Sequence, residues 1–137
     1  MNISNMASTK KIEDISKDKS SIKIIKGTAI SIILSLILLT IYATLISYTS
    51  VSENTMVPVI ITITGISILI GSSISSMHIK KQGMLNGALV GLIYMLTIYI
   101  LSSIVLSSFE LTMNSIIMIL VGIGTGMVGG VIGVNMK

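Results

Sequence analysis

The stretch GMLNGALVGLIYMLTIYILSSIVLS, residues 83–107, contains no Asp, Glu, Lys or Arg and begins with glycine at every fourth position. As a helix with about 1.5 Å of rise per residue it would measure roughly 37 Å, enough to cross a hydrocarbon core of about 30 Å. Three other stretches share this character and lie at 27–48, 57–77 and 112–134. The sequence therefore predicts an all-α integral membrane protein, a bundle of four transmembrane helices in one domain.

All nine lysines fall on one side of this predicted bundle. Six precede the first span, two lie between the second and third, and one follows the fourth, whereas the connections on the other side carry only Glu53 and Glu110. Short lysine-rich loops stay in the cytoplasm during insertion. We therefore predict a multi-pass protein of the cell membrane with both termini cytoplasmic. Contact with anionic lipid head groups at the inner surface is predicted for the lysines nearest the spans, which are Lys23, Lys26, Lys80, Lys81 and Lys137.

Residues 1–26 form the only long polar segment, rich in Ser, Lys and acidic residues. Because the segment offers few apolar groups for burial, we predict a disordered cytoplasmic tail. A weakly amphipathic helix from Ile12 to Ile25 on the inner membrane surface is the alternative. The net charge of +4 does not predict nucleic-acid binding, because the lysines are dispersed and the chain has one Phe and no Trp for stacking.

The chain contains a weak internal repeat. A shift of 57 residues superposes Leu39–Tyr42 on Leu96–Tyr99 and Glu53 on Glu110. This match predicts two helical hairpins, 24–80 and 81–137, that enter the membrane in the same direction and are related by a pseudo-twofold axis along its normal. The alternative is that two hairpins of similar length and lipid exposure look alike without a duplication.

Glycines in the third and fourth spans recur at a spacing of four, typical of a glycine zipper. Residues four apart share a helix face, and helices in lipid associate where small residues let their backbones approach. We predict that the two spans cross tightly in the cytoplasmic half of the membrane. The candidate helix-packing residues are Gly83, Gly87, Gly91, Gly122, Gly126, Gly129, Gly130 and Gly133.

The segment Gly124–Gly129, which overlaps this series, also fits the dinucleotide-binding pattern G-x-G-x-x-G. That pattern binds a phosphate only between a strand and a helix of an α/β unit, and here it lies inside a predicted span. We therefore predict no cofactor site.

No catalytic or metal-binding residues can be assigned. The chain has no cysteine and one histidine, His78, and none of the four apolar stretches contains an acidic or basic residue. Ion-coupled carriers generally need such a residue within the membrane. We therefore predict a protein that is not an enzyme and has no ion-coupled carrier mechanism. A pore is the alternative, and its candidate lining residues are Ser31, Ser35, Thr40, Thr62, Thr64, Asn86 and Thr97.

Two glycine-containing segments resemble those of a known family. The segment from Lys81 to Tyr94 reads K-x-G-x3-G-x3-G-x2-Y, and the segment 126–135 reads GMVGGVIGVN. With the length and the four spans, they make residues 24–137 similar to the YrzE-like family, small uncharacterised membrane proteins of Firmicutes. Nine lysines without arginine and abundant Ile fit such a source. The resemblance implies no catalytic or binding residues.

The function expected from the sequence is that of a non-enzymatic membrane protein, a helix-packing or interaction subunit of the cell envelope. Its expected partners are membrane lipid and either a second copy or another membrane protein. A small dimeric transporter or channel is the alternative function.

Overall fold

The computed structural model describes residues 2–77, 79, 82–107 and 112–136. These residues form four α-helices and a short 3-10 turn, Glu53–Thr55, and include no strand. The helices are α1 (Ile3–Tyr48), α2 (Met56–Ser76), α3 (Gly83–Leu106) and α4 (Met113–Asn135). All four are long and apolar enough to cross a membrane. The prediction of an all-α bundle is confirmed.

Helices α2, α3 and α4 begin and end within one residue of the apolar stretches in the sequence. The ends of α3 have a local cause, because the residues on either side of it adopt the left-handed backbone conformation. Gln82 has a φ of 68° and Ser107 a φ of 51°. A residue in this conformation cannot continue a right-handed helix, so each one fixes a boundary of α3.

Helix α1 is much longer than the first apolar stretch, with 46 residues and a length of about 69 Å. The structure thus has helix over residues 3–26, where the sequence predicts a disordered tail. Residues 1–26 contain no Gly or Pro, and Glu13 lies four residues before Lys17, a favourable helical pair. Extending a helix that is already formed also avoids the cost of nucleation. We call residues 3–26 the α1 arm.

Helices α2 and α3 form the centre of the bundle, because each of them contacts all three other helices. The most extensive contact joins α3 to α4. Within the described residues, α1 and α4 do not touch. The helices alternate in direction along the chain, so α1 with α2 and α3 with α4 form two antiparallel hairpins.

The bundle has two unlike halves. The packed half adjoins the end where α2 stops and α3 starts, and the open half adjoins the end where α1 stops and α2 starts. The buried residues of α2 all lie from Ser67 onward, and those of α4 all lie from Gly122 onward. On α3, the only buried residue beyond Tyr94 is Ser103. Small residues let the packed half close, whereas Ile- and Leu-rich segments hold the open half apart.

The two hairpins share one internal detail that the 57-residue shift relates. Tyr42 and Tyr99 both bury their hydroxyl oxygens in the open half. This agreement fits two equivalent hairpins, and a sequence duplication stays a prediction.

Candidate functional site

The packed half contains an antiparallel crossing of α3 and α4 at which the two backbones touch. A Cβ atom added to Gly87 would overlap the carbonyl oxygen of Gly126 and lie 2.7 Å from the Cα of Gly130. A Cβ atom on Gly91 would overlap the Gly122 carbonyl oxygen, and one on Gly83 would lie 2.9 Å from the Gly130 carbonyl oxygen. No side chain fits between the helices at these positions.

Two of the candidate glycines face a different helix from the others. A Cβ atom on Gly129 would lie 2.7 Å from the Leu69 carbonyl oxygen, and one on Gly133 would lie 2.8 Å from the Cα of Ser73. Helix α4 therefore presents one glycine face to α3 and a second to α2. At Gly122 the neighbour is a side chain, because an added Cβ atom would lie 2.8 Å from the Met95 Cε.

A second close crossing joins α1 to α2, and sequence reasoning did not assign it. A Cβ atom on Gly27 would lie 2.8 Å from the Gly71 carbonyl oxygen, and one on Gly71 would lie 2.6 Å from the Gly27 carbonyl oxygen. The signal was present as small residues four apart, in Gly27, Ser31 and Ser35 of α1. A series of one glycine and two serines is harder to recognise than a series of three glycines.

Three serines at the end of α2 bind it to all three neighbouring helices. The Ser73 hydroxyl donates to the Gly129 carbonyl of α4 at 2.9 Å. The Ser75 hydroxyl donates to the Lys23 carbonyl of α1 at 2.9 Å, and the Ser76 hydroxyl donates to the Gly83 carbonyl of α3 at 3.2 Å. We call these three residues the α2 serine cluster. Through this cluster, side-chain hydrogen bonds join all four helices at the packed end.

Five more buried hydroxyls donate to a carbonyl of their own helix. These residues are Thr28, Ser31, Ser35, Ser67 and Ser72. Most of the candidate pore-lining residues bond in the same way, namely Ser31, Ser35, Thr40, Thr62 and Thr97. Of the remaining two, Asn86 is buried in α3, and Thr64 lines a cleft described below. Back-bonding of this kind satisfies a hydroxyl within the membrane.

The charged candidates lie at the ends of the bundle. Lys26 is exposed and Lys23 is half-buried where α1 enters the packed half. Glu53 is exposed at the start of the 3-10 turn, at the opposite end. His78, Lys80, Lys81, Glu110 and Lys137 lie outside the described residues. Contact of the lysines with lipid head groups stays a prediction. In the described part of the chain, no group of three His, Cys, Asp or Glu residues is placed to hold a metal ion.

Clefts separate the helices in the open half. One has a volume of about 370 Å³, with α2 and α4 as its walls and α3 as its floor. We call it the α2–α4 cleft. It is lined by Ile60, Ile61, Thr64, Gly65, Ile68, Met95, Ile98, Asn114, Ile117, Met118, Val121, Gly122 and Thr125. A Cβ atom on Gly65 would have no neighbour within 4 Å, so the cleft has room for a side chain there.

The chain matches a defined sequence family. The family is described as proteins of unknown function, DUF3792, and the match covers residues 20–133. This segment contains both helix crossings, the α2 serine cluster and the α2–α4 cleft, and it leaves out most of the α1 arm. No curated protein and no solved structure matches the chain. The match confirms that the chain resembles a family without an assigned activity.

Proposed function

We propose a non-enzymatic role for this chain, which belongs to the DUF3792 family of proteins of unknown function: it is a subunit that holds a partner protein at the cell membrane. One observation carries the proposal. Eight buried hydroxyls donate to backbone carbonyls, and the three of the α2 serine cluster join α2 to its three neighbours. The polar groups of the packed half thus serve to assemble the bundle, which suits a scaffold.

The α1 arm provides a surface on which a partner can dock outside the membrane. Most of its large apolar residues have about half or more of their surface exposed, and these residues are Ile3, Met6, Ile12, Ile15, Ile22 and Ile25. Apolar groups exposed on a helix outside the bilayer are typical of surfaces that bind protein or membrane. The arm also carries six lysines and three acidic residues. This surplus of positive charge fits an acidic protein surface or anionic lipid heads.

The proposed orientation places the packed end and both termini in the cytoplasm. It rests on the distribution of the lysines, which short cytoplasmic loops retain. The resemblance to the YrzE-like family of Firmicutes supports the plasma membrane of a Gram-positive cell as the location. In this orientation the α1 arm projects into the cytoplasm and the open half faces outward.

Site-specific cross-linking tests the proposed role. Because the chain has no cysteine, Ile15→Cys in the arm and Ile33→Cys on the exposed surface of α1 each give a single attachment point for a photoreactive reagent. We expect Ile15→Cys to form one discrete adduct with a different protein in intact membranes. Ile33→Cys, whose side chain is similarly exposed, is the matched control and should give lipid adducts.

The alternative function, a small dimeric transporter or channel, predicts a different result. It would give adducts between two copies of this chain, and the purified dimer would conduct a solute in liposomes. A homodimer with solute flux, and no adduct to a second protein, would contradict the proposed scaffold role.

A further inference from the structure

We propose that the α2–α4 cleft binds one unbranched hydrocarbon chain of a membrane lipid, from the leaflet that surrounds the open half. The site would thus be a specific lipid-chain site between the helices. The inference does not depend on which side of the membrane the open half faces.

The dimensions of the cleft along the membrane normal match one leaflet. Its wall on α2 runs from Ile60 to Ile68, about 12 Å at the helical rise, and its wall on α4 runs from Asn114 to Thr125, about 16 Å. One leaflet contributes about half of a hydrocarbon core of roughly 30 Å. The cleft therefore has the length of a single acyl chain and stops near the middle of the membrane, where the packed half closes.

The volume selects a chain rather than a helix. An apolar cavity of about 150 Å³ holds one benzene molecule, so by proportion 370 Å³ holds roughly 15 carbon atoms of hydrocarbon. A helix about 10 Å across and 12 Å long would need roughly 900 Å³. A transmembrane helix from a second copy does not fit into the cleft, whereas one lipid tail does.

The walls have the chemistry of a hydrocarbon site. Most of the lining side chains are those of Ile, Val and Met, and the Thr125 hydroxyl donates to the carbonyl of Val121 at 2.8 Å, within its own helix. Water would need several polar partners to remain in such a space. Met95 and Met118 are unbranched and flexible, so they can adapt to a mobile chain.

The cleft is continuous with the membrane-facing surface at its side and with a polar position at its mouth. Ile61, Ile117 and Val121 line the cleft, and about half of each side chain is also exposed on the outside of the bundle. A lipid tail can therefore enter sideways from the bilayer. Asn114, in the first turn of α4, lies at the end of the cleft where the polar part of such a lipid would begin.

Two glycines allow a matched test. A Cβ atom on Gly65 or on Gly124 has no neighbour within 4 Å, but only Gly65 lines the cleft. The wild type, Gly65→Leu and Gly124→Leu would be extracted from phosphatidylglycerol-containing membranes in mild detergent and weighed by native mass spectrometry. We expect one retained phospholipid on the wild type and on Gly124→Leu. Gly65→Leu should retain about tenfold less, the change expected when one or two packed methylene groups are displaced.

A second measurement on the wild type keeps the test decisive if Gly65→Leu does not accumulate. Phosphatidylglycerol with a diazirine midway along one acyl chain should label Met95 and Met118 at a low mole fraction of probe, and this labelling should saturate. Val128, exposed on α4 outside the cleft, should be labelled in proportion to the amount of probe.

Three results would overturn the proposal. They are equal lipid retention by both leucine variants, labelling of Met95 that never saturates, and a dimer of the wild type that Gly65→Leu converts to a monomer. The last result would assign the cleft to a second copy of the chain.

Discussion

At Gly126 the structure accommodates nothing larger than a hydrogen atom in the side-chain position. A Cβ atom there would overlap the Gly87 carbonyl oxygen and lie 3.1 Å from the Gly91 nitrogen, and these backbone atoms cannot rotate away. We expect Gly126→Leu to lower the free energy of unfolding by about 1 to 3 kcal/mol, the usual cost of overpacking. Thermal unfolding in detergent would measure the change.

Gly124→Leu is the control for this prediction. Gly124 lies two residues away on the same helix, and its added Cβ has no neighbour within 4 Å. This variant should be as stable as the wild type or slightly more stable, because Leu favours a helix over Gly by up to about 1 kcal/mol. Equal melting temperatures for Gly124→Leu and Gly126→Leu would mean that α3 and α4 do not meet at these positions.

The spacing of glycines predicts which residues share a helix face but not which helix that face contacts. The spacing of four in α3 and α4 predicts faces of close approach from helical geometry alone. It could not tell that Gly129 faces α2 while its neighbour Gly130 faces α3. Successive residues point about 100° apart on a helix, and only the positions of the other helices decide which face meets which partner.

At the scale of one element, three hydroxyl groups of α2 donate hydrogen bonds to the three neighbouring helices. Ser73→Ala, Ser75→Ala and Ser76→Ala each remove one hydrogen bond between helices. Such bonds in membrane proteins contribute about 0.6 kcal/mol on average and at most about 1.7 kcal/mol. We expect the triple variant to lose roughly 2 kcal/mol of stability against unfolding in mixed detergent and SDS.

Ser67→Ala is the matched control for the serine cluster. Ser67 is fully buried on α2, but its hydroxyl donates to the Ile63 carbonyl of its own helix at 2.8 Å. Its loss should change stability by much less than any member of the α2 serine cluster. If Ser67→Ala and Ser73→Ala lower the free energy of unfolding equally, the hydrogen bond from Ser73 to the neighbouring helix adds nothing to the stability that side-chain packing provides.

The α1 arm shows what composition alone does not capture about an element. Residues 3–26 have too few apolar groups to fold as an isolated segment, which is the basis of the disorder prediction. In the structure they continue a transmembrane helix, so that the first helical turn is already in place and each further residue adds a hydrogen bond. The predicted boundary at Gly27 therefore separates a polar from an apolar part of one continuous helix and is not the start of a helix.

At the scale of the whole molecule, the distribution of lysines predicts a single orientation. Reporters fused after Lys19, Lys81 and Lys137 should be located in the cytoplasm. Reporters fused next to Glu53 and Glu110 should be located outside the cell. The reason is that the lysine-bearing segments resist translocation. Paired phosphatase and fluorescent-protein reporters at each site supply the internal control. A cytoplasmic signal at Glu53 would contradict the orientation and the crossing of the first two helices.

The packed and open halves of the bundle should also differ in the amino-acid substitutions that they tolerate during evolution. Where two backbones touch, as at Gly87 and Gly126, any residue larger than glycine would push the two helices apart. In the open half the neighbours of a side chain are flexible side chains or lipid, and one aliphatic residue can replace another. Neutral change should therefore accumulate in a gradient along the membrane normal, slow at one end of every helix and fast at the other.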